Sequence, residues 1–304
     1  MRKQAKIRGD WNDLRYFLAV ARARRVTAAA RELGVNHSTV ERRVSALEIS
    51  MKTKLFDRLP TGFLLTEKGA QLLPFAEEIE AHWMLASASI DGSDEQMTGV
   101  VRVSSPEGFG VFFLAPRMVK LSVDYPQLEL ELVPSPLPMN PSKREADIAI
   151  SSIRPESGHL LSKKLTDYSF HVYVSKSFIA RYGTPLTLKE LRKYPVYGYI
   201  RDQLFGHDLY YLSDIDDQLT AKLSSTNIVA QYMMTTQGFG AGVLPNFIGS
   251  SDPNLVRILP EHTFSRSYYL IYASNLARLT RVRTTVDALT LWAKDAKEIL
   301  LSKD

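Results

Sequence analysis

Between Thr27 and Glu48 the chain reads TAAARELGVNHSTVERRVSALE, two short helical patterns joined at Gly34. Thr27 is a suitable N-cap for the first pattern, and Gly34 can take the left-handed conformation that stops it, with a tight turn at Val35 and Asn36. In the second pattern Val40, Val44 and Leu47 recur at spacings of four and three and so share one buried face. That leaves His37, Ser38, Thr39, Glu41, Arg42 and Arg43 outward or at the N-terminal end. Hydroxyl, imidazole and guanidinium groups presented this way suit hydrogen bonding to base edges and phosphates, as on the second helix of a helix-turn-helix in a major groove. An ordinary surface hairpin has the same periodicity, so the flanking elements must decide.

A second set of polar residues falls at predicted strand ends and helix starts. Ser104 and Ser105 end a short β-rich run and precede a helix, where amides and dipole favour a carboxylate or other anion. Ser135 follows a second strand, Ser151 and Ser152 a third, and Tyr199 with Arg201 a later one; Thr226 and Asn227 open a further helix. Such groups could line a pocket for a small oxygen-rich molecule, although Ser and Thr at helix starts are usually only caps. Catalytic patterns are missing. The six histidines (His37, His82, His159, His171, His207 and His262) have no metal-ligand spacing, and neither G-x-S-x-G nor G-x-x-x-x-G-K occurs. Gly238 to Gly242 leads from a helix into a strand, the reverse of a dinucleotide fingerprint, and reads as a helix stop. No enzyme, catalytic residue, metal or cofactor is indicated.

The elements around the first set strengthen the nucleic-acid reading. Upstream, Trp11 to Ala21 forms a helix with Leu14, Phe17, Leu18 and Ala21 on one stripe, able to pack across the pair. Downstream, LFDRLPTGFLLTEKG (Leu55 to Gly69) holds two apolar runs about Pro60-Thr61-Gly62, the pattern of a two-stranded wing. From Thr66 a helix runs for about 25 residues, on which Leu72, Ala76, Ile79, Trp83, Ala86 and Ile90 recur at 4, 3, 4, 3 and 4. Flanked by Glu77, Glu78 and Glu80, this narrow stripe suits a coiled-coil seam with a second copy better than burial in its own domain.

The polar stretch Asp91 to Gly99 marks a linker, beyond which strands alternate with helices. Val100–Val103, Leu128–Leu132, Ala146–Ile150, His171–Val174, Val196–Ile200, Ala221–Leu223, Ala241–Leu244, Leu255–Leu259 and Tyr268–Ala273 read as strands. Helices are expected from Ser104 to about Asp124, from a capping box at Thr187 to Glu190, from Thr226 to Gln237 and from Thr280 to Leu301. This alternation makes an α/β fold with a largely parallel sheet and ligands at the strands' C-terminal ends.

The 304 residues suffice for two or three domains with real cores, and the apolar (45%) and charged (23%) fractions are those of a globular protein. No run approaches a membrane span and the N-terminus has no apolar secretory segment, so a cytoplasmic location is expected. Cysteine is absent, which excludes disulfides and thiolate chemistry. Residues 1–70 hold 15 Lys/Arg and 7 Asp/Glu, a balance of +8 in a chain of +5, which leaves −3 for the remainder. The basic character therefore sits at the end that would release counterions from a polyanion. Arg2, Lys3, Lys6 and Arg8 could extend it to a neighbouring phosphate, though an N-terminal arm is more commonly just solvated.

Taken together, LRYFLAVA, VTAAARELGV, RRVSALE, KLFDR, GFLLTEKG and LLPFA, in this order and spacing, resemble the LysR-type transcriptional regulators. READIAIS, ARYGTPLTLKELRKYPVYGY and GFGAGVLP extend the resemblance to about Ala296. Two departures stand out: Ile49-Ser50-Met51-Lys52-Thr53 replaces a common leucine-glycine pair, and Glu41 stands where serine is frequent. The resemblance implies a winged helix-turn-helix over residues 1–66, a dimerising linker helix over 67–92, a hinge at 93–99, and an α/β two-lobed periplasmic-binding-protein-like effector domain over 100–304. Lobe I would comprise 100–165 and 268–304 and lobe II 166–267, with crossings near 165 and 267.

The resulting expectation is a DNA-binding transcriptional regulator controlled by a small-molecule effector held between the lobes. Its DNA contacts would be Thr27, Arg31, Asn36 and Glu41, with His37, Ser38, Thr39 and Arg42 as base readers, Arg43, Lys54 and Arg58 on phosphates, and Thr61 in the wing. Its partners would be double-stranded DNA with a roughly palindromic operator, a second copy or a tetramer, and RNA polymerase if the output is activation, with no membrane. A solute-binding receptor or an enzyme on the same two-lobed fold is the alternative.

Overall fold

The computed structural model describes residues 10–60, 62–91, 97–135, 145–154, 160–201, 211–274 and 276–302. The chain divides into two compact units, Met1–Gly92 and Ser93–Asp304. The basic arm and Thr61 lie outside the described residues, as do His159 and His207.

In the first unit α1 (Trp11–Ala23), α2 (Val26–Leu33) and α3 (His37–Met51) are followed by β1 (Phe56–Leu59), β2 (Gly62–Leu65) and the long α4 (Glu67–Asp91). Phe17, Leu18 and Val20 of α1 meet Ala29 of α2, Val40, Val44 and Leu47 of α3, and Leu55 and Phe56 at the start of the wing in one buried cluster. Gly34 ends α2 in the left-handed region (φ 66°), as its position suggests. Thr27 is not the cap: the N-cap is Arg25, and Thr27 lies exposed inside the first turn, because the helix begins one residue before it, at Val26. At the end of α3 it is Lys52 that turns left-handed (φ 55°), at the point where the Leu-Gly pair is replaced.

Two contacts fasten the wing. Gly62 (φ 140°) brings β2 so close to α1 that a Cβ there would lie 2.4 Å from the Arg24 carbonyl, and that carbonyl accepts a hydrogen bond from the Phe63 amide at 2.8 Å. Glu48, buried on α3, accepts from the Leu55 and Phe56 amides at 2.9 and 3.3 Å and from Lys54 Nζ at 2.9 Å. Burial opposes ionisation of Glu48, but the Lys54 bond and the two amides outweigh it and hold the carboxyl below its ordinary range.

The stripe on α4 is divided between two environments. Ala76 is fully buried and Leu72 half-buried against the unit's own core, whereas Trp83 and Ile90 are 64% and 86% exposed and Ala86 is exposed. The first two turns of the expected seam are thus occupied within the subunit; Ile79 is intermediate. The helix is braced one turn further on by Arg22 of α1, paired with Glu80 at 2.6 Å.

The second unit contains, in order, β3 (Gly99–Ser105), a π-helical stretch (Phe109–Leu114) continuing into α5 (Ala115–Asp124), β4 (Leu128–Pro134), β5 (Ile148–Ser151), β6 (Leu160–Ser175), α6 (Lys176–Tyr182), α7 (Leu188–Leu191), β7 (Val196–Tyr199), α8 (Leu212–Ile215), β8 (Leu223–Ser225), α9 (Ile228–Thr236), β9 (Ala241–Pro245), α10 (Asn246–Gly249), β10 (Leu255–Ile258), β11 (Phe264–Ala273), α11 (Thr280–Asp295) and α12 (Lys297–Leu300). Among the described residues these strands form one nine-stranded sheet, ordered β4-β3-β5-β11-β6-β9-β7-β8, with β10 on β6. The sheet is not largely parallel. Two parallel blocks, β4-β3-β5 and β9-β7-β8, are joined by antiparallel pairings through β6 and β11. Residues 165 and 267 fall inside these two long strands, beside an irregularity in their register at Tyr268 and Tyr269.

Several boundaries also shift. The capping box at Thr187 opens only one helical turn, and Glu190 bonds the Leu186 amide instead of that of Thr187. The strands expected at Ala146 and Ala221 begin at Ile148 and Leu223, and the closing helix breaks at Ala296. Gly238 (φ 78°) follows α9 and leads toward β9, a helix stop and not a phosphate loop.

Replacing Glu48 with Ala leaves two buried amides without an acceptor and should cost about 2 to 4 kcal/mol in urea unfolding of the first unit. Because the folded carboxyl titrates below its unfolded value, its contribution should be present above the ordinary Glu range and vanish as pH falls through the depressed value. Equal acid sensitivity of wild type and Glu48→Gln would show that another group governs acid unfolding.

Candidate nucleic-acid interface and effector site

The first turns of α3 carry the polar face. His37, Ser38 and Arg42 are exposed, Thr39 and Glu41 are half-buried, and Asn36 is an exposed N-cap whose side chain makes no capping bond. Among the described residues Arg42 has no ion-pair partner. Arg43 does not share its outward position: it turns back to α1, 3.2 Å from buried Asp13, 3.7 Å from Asp10 and over the Tyr16 ring. One step along a helix rotates a side chain by about 100°, which carries Arg43 off the outer face. Lys54 is exposed while bonded to Glu48. Arg58 lies on the wing with one guanidinium nitrogen 3.1 Å from Ser45 Oγ on α3 and its plane over Phe63. Arg31 is exposed on α2.

In the second unit the ends of the two parallel blocks meet. Ser104 and Ser105 are the last residues of β3 and only 2% exposed; the Ser105 hydroxyl donates to the Pro106 carbonyl at 3.3 Å, and helical backbone starts only at Glu107. These hydroxyls are therefore held in the packing and do not open a helix directly. Ser135 is half-buried, its amide bonded to the Ser105 carbonyl at 2.9 Å. Ser151 is buried and accepts from the Ile153 amide at 3.0 Å, with Ser152 half-buried beside it. Across from these, Thr226 and Arg201 are exposed and Tyr199 is half-buried.

Thr226 does not open α9. Asn227 is the N-cap, its Oδ1 accepting from the Val229 and Ala230 amides at 2.7 and 3.1 Å. With Oδ1 committed, the amide nitrogen points the other way and donates to Glu107 Oε1 at 2.9 Å, a direct bond between the two blocks. Glu107 was not singled out in the sequence, although it stands next to Ser104-Ser105-Pro106. Burial pushes its carboxyl up. Burial, and then the proximity of Tyr168 and Glu107, likewise push up the Tyr199 phenol. Tyr168 and Tyr268 stack at 4.1 Å where β6 and β11 pair, with Phe109 4.6 Å from Tyr268. Periodicity marks these rings only as strand residues; their convergence depends on the register of β6 and β11.

Residues 11–70 match the family model of a bacterial regulatory helix-turn-helix protein, lysR family, and residues 94–293 match that of the LysR substrate binding domain. The chain belongs to the LysR family. Among curated relatives, the HTH-type transcriptional regulator DmlR of Escherichia coli K12 is 29% identical over 91% of this chain and 92% of its own. CrgA, a transcriptional regulator of Neisseria meningitidis, is 27% identical over 91% and 95%. The solved structure of CrgA superposes with a TM-score of 0.57 at 25% identity, covering 92% of this chain and 97% of that one. Full-length OxyR of Pseudomonas aeruginosa shares the fold, with a TM-score of 0.69 at 17% identity over 94% and 97%.

This LysR-family member is thus a DNA-binding transcriptional regulator with an effector-binding domain, and not a solute receptor or an enzyme. Regulators of this family are oligomeric and bind DNA and effector ligands. No described helix is long and apolar enough to cross a membrane.

In this LysR regulator, Asn227→Ala removes both the cap of α9 and the Glu107 bond and should lower stability by about 1 to 2 kcal/mol. Asn227→Asp, which keeps the cap acceptor but sets a carboxylate against Glu107, should lower it as well, and less so at acid pH. Urea midpoints at neutral and acid pH test this; an unchanged midpoint for both variants would show the bond to be dispensable.

Proposed function

We propose that this regulator reads a roughly palindromic operator through two copies of α3, with His37, Ser38, Thr39 and Arg42 on base edges. Arg42 carries the assignment, because it is exposed on the polar face of α3 and has no ion-pair partner among the described residues, whereas its neighbour Arg43 is spent on Asp13 and Asp10. Arg58 and Lys54 contact phosphates, with Thr27, Arg31, Asn36 and Glu41 near the duplex and Thr61 at the wing tip. Two copies pair through the exposed half of α4, centred on Trp83, Ala86 and Ile90, and dimers associate into a tetramer. A small polar effector lies between the lobes, lobe I comprising 100–165 and 268–304 and lobe II 166–267, and closure of one upon the other changes the spacing of the recognition helices. The protein works in the cytoplasm and, where it activates, contacts RNA polymerase.

Fluorescence anisotropy on operator variants over a salt series separates these roles. Arg42→Ala should cost about 1 to 3 kcal/mol and relax preference at one base pair per half-site. Arg58→Ala should weaken all sequences alike and reduce the salt slope by about one. Arg43→Ala should act through stability of the first unit more than through base preference. Uniform weakening by Arg42→Ala would remove it from the base readers.

Trp83→Asp would set a charge in the apolar seam and should halve the mass seen by light scattering at the dimer level, with a steep loss of operator affinity. Wild-type mass together with wild-type DNA binding would place the pairing surface elsewhere.

A further inference from the structure

The effector site described above is built around a carboxyl group, and its aromatic and acidic surroundings bear on the charge of what it binds. Glu107 is anchored from one side only: Oε1 is taken by the Asn227 amide nitrogen, whose orientation is fixed by the two amides bonded to its Oδ1. No hydrogen bond to a described residue uses Oε2. Among the described residues Glu107 forms no ion pair, and burial pushes its carboxyl up. Arg201, the positive charge expected here, is exposed. Around Glu107 stand phenols and rings. Tyr199 lies within reach of the charge of Glu107 and of the Tyr168 hydroxyl, and has no hydrogen-bond partner among the described residues. Tyr268 is stacked on Tyr168 and close to Tyr199 in turn.

A carboxylate ligand entering this site would meet a half-buried carboxyl that no cation among the described residues compensates, and the like charges would repel. An ammonium or amidinium group would meet the opposite situation: a half-buried acceptor whose geometry is set in advance, with the Tyr199 phenol close by. We propose that the effector of this regulator is a small organic cation, an amine or amidine, whose charged N–H group is received by Glu107 and whose polar end reaches Tyr199. This inference rests on the interlobe site proposed above and reverses the anion preference that Ser104 and Ser105 suggest from sequence. Glu107 is its specificity-determining residue, since a neutral side chain of the same shape would accept from Asn227 equally well but would not select for charge.

The test is a thermal-shift titration of the full chain with two matched series. One holds aminoalcohols, alkyl diamines and arylalkylamines, and the other the carboxylates of the same skeletons; the proteins are wild type, Glu107→Gln and Tyr199→Phe. Members of the amine series should raise the wild-type Tm saturably. Glu107→Gln should weaken them at least tenfold while retaining its own unliganded Tm, and carboxylates should leave the wild type unchanged. Glu107→Asp, which keeps the charge but withdraws it, should bind amines more weakly than wild type and more tightly than Glu107→Gln. A carboxylate that raises the wild-type Tm saturably and is not tightened by Glu107→Gln would overturn the charge assignment, as would a wild type that responds to neither series. If such a carboxylate is weakened by Tyr199→Phe, the interlobe site stands and only the ligand's charge is wrong. Ligands indifferent to both substitutions would sink the site with it.

Discussion

A main-chain amide taken out of water must find an acceptor, and at the end of α3 one carboxylate, Glu48, serves two of them. That bond ties α3 to the first strand of the wing, so the two elements are rigidly related. The Phe63 amide, bonded to the carbonyl of Arg24, ties the second strand to α1 in the same way. The exposed residues at the start of α3 can then be polar and, among the described residues, without ion-pair partners, because the geometry of the unit is carried by other groups.

The second unit meets the same demand through its longest strands. β11 pairs along its whole length with the first two-thirds of β6, so the junction of the two parallel blocks is made of hydrogen-bonded strands. The irregularity at Tyr268 and Tyr269 leaves one local departure in that ladder, beside the stacked Tyr168 and Tyr268. Glu107 and Asn227 bridge the blocks on the side where their strands end.

The divided environment of α4 links the two levels of organisation. Its first turns complete the core of the unit through Ala76 and Leu72, and Arg22 holds Glu80 beyond them. The later turns leave Trp83 and Ile90 exposed. One heptad stripe can serve both purposes because a helix of 25 residues, roughly 37 Å long, outruns the small domain it starts from.

Sequence by itself determined the elements whose signals are local: the 3.6-residue stripe of α1, the Val40-Val44-Leu47 face of α3, the glycine stop at Gly34, the turn at Pro60 to Gly62 and the basic balance of the first 70 residues. It also identified the family, because those signals recur in a specific order and spacing. Only the tertiary structure decided what each polar group does once packed. Arg42 and Arg43 are equivalent in composition, and a buried carboxylate on another helix takes one of them out of use. Ser104 and Ser105 look like open hydroxyls, and strand packing encloses them. Glu107 carries no local signal at all; its place in the site comes from a side chain 120 residues away, and such a contact follows from long-range strand pairing and not from any local periodicity.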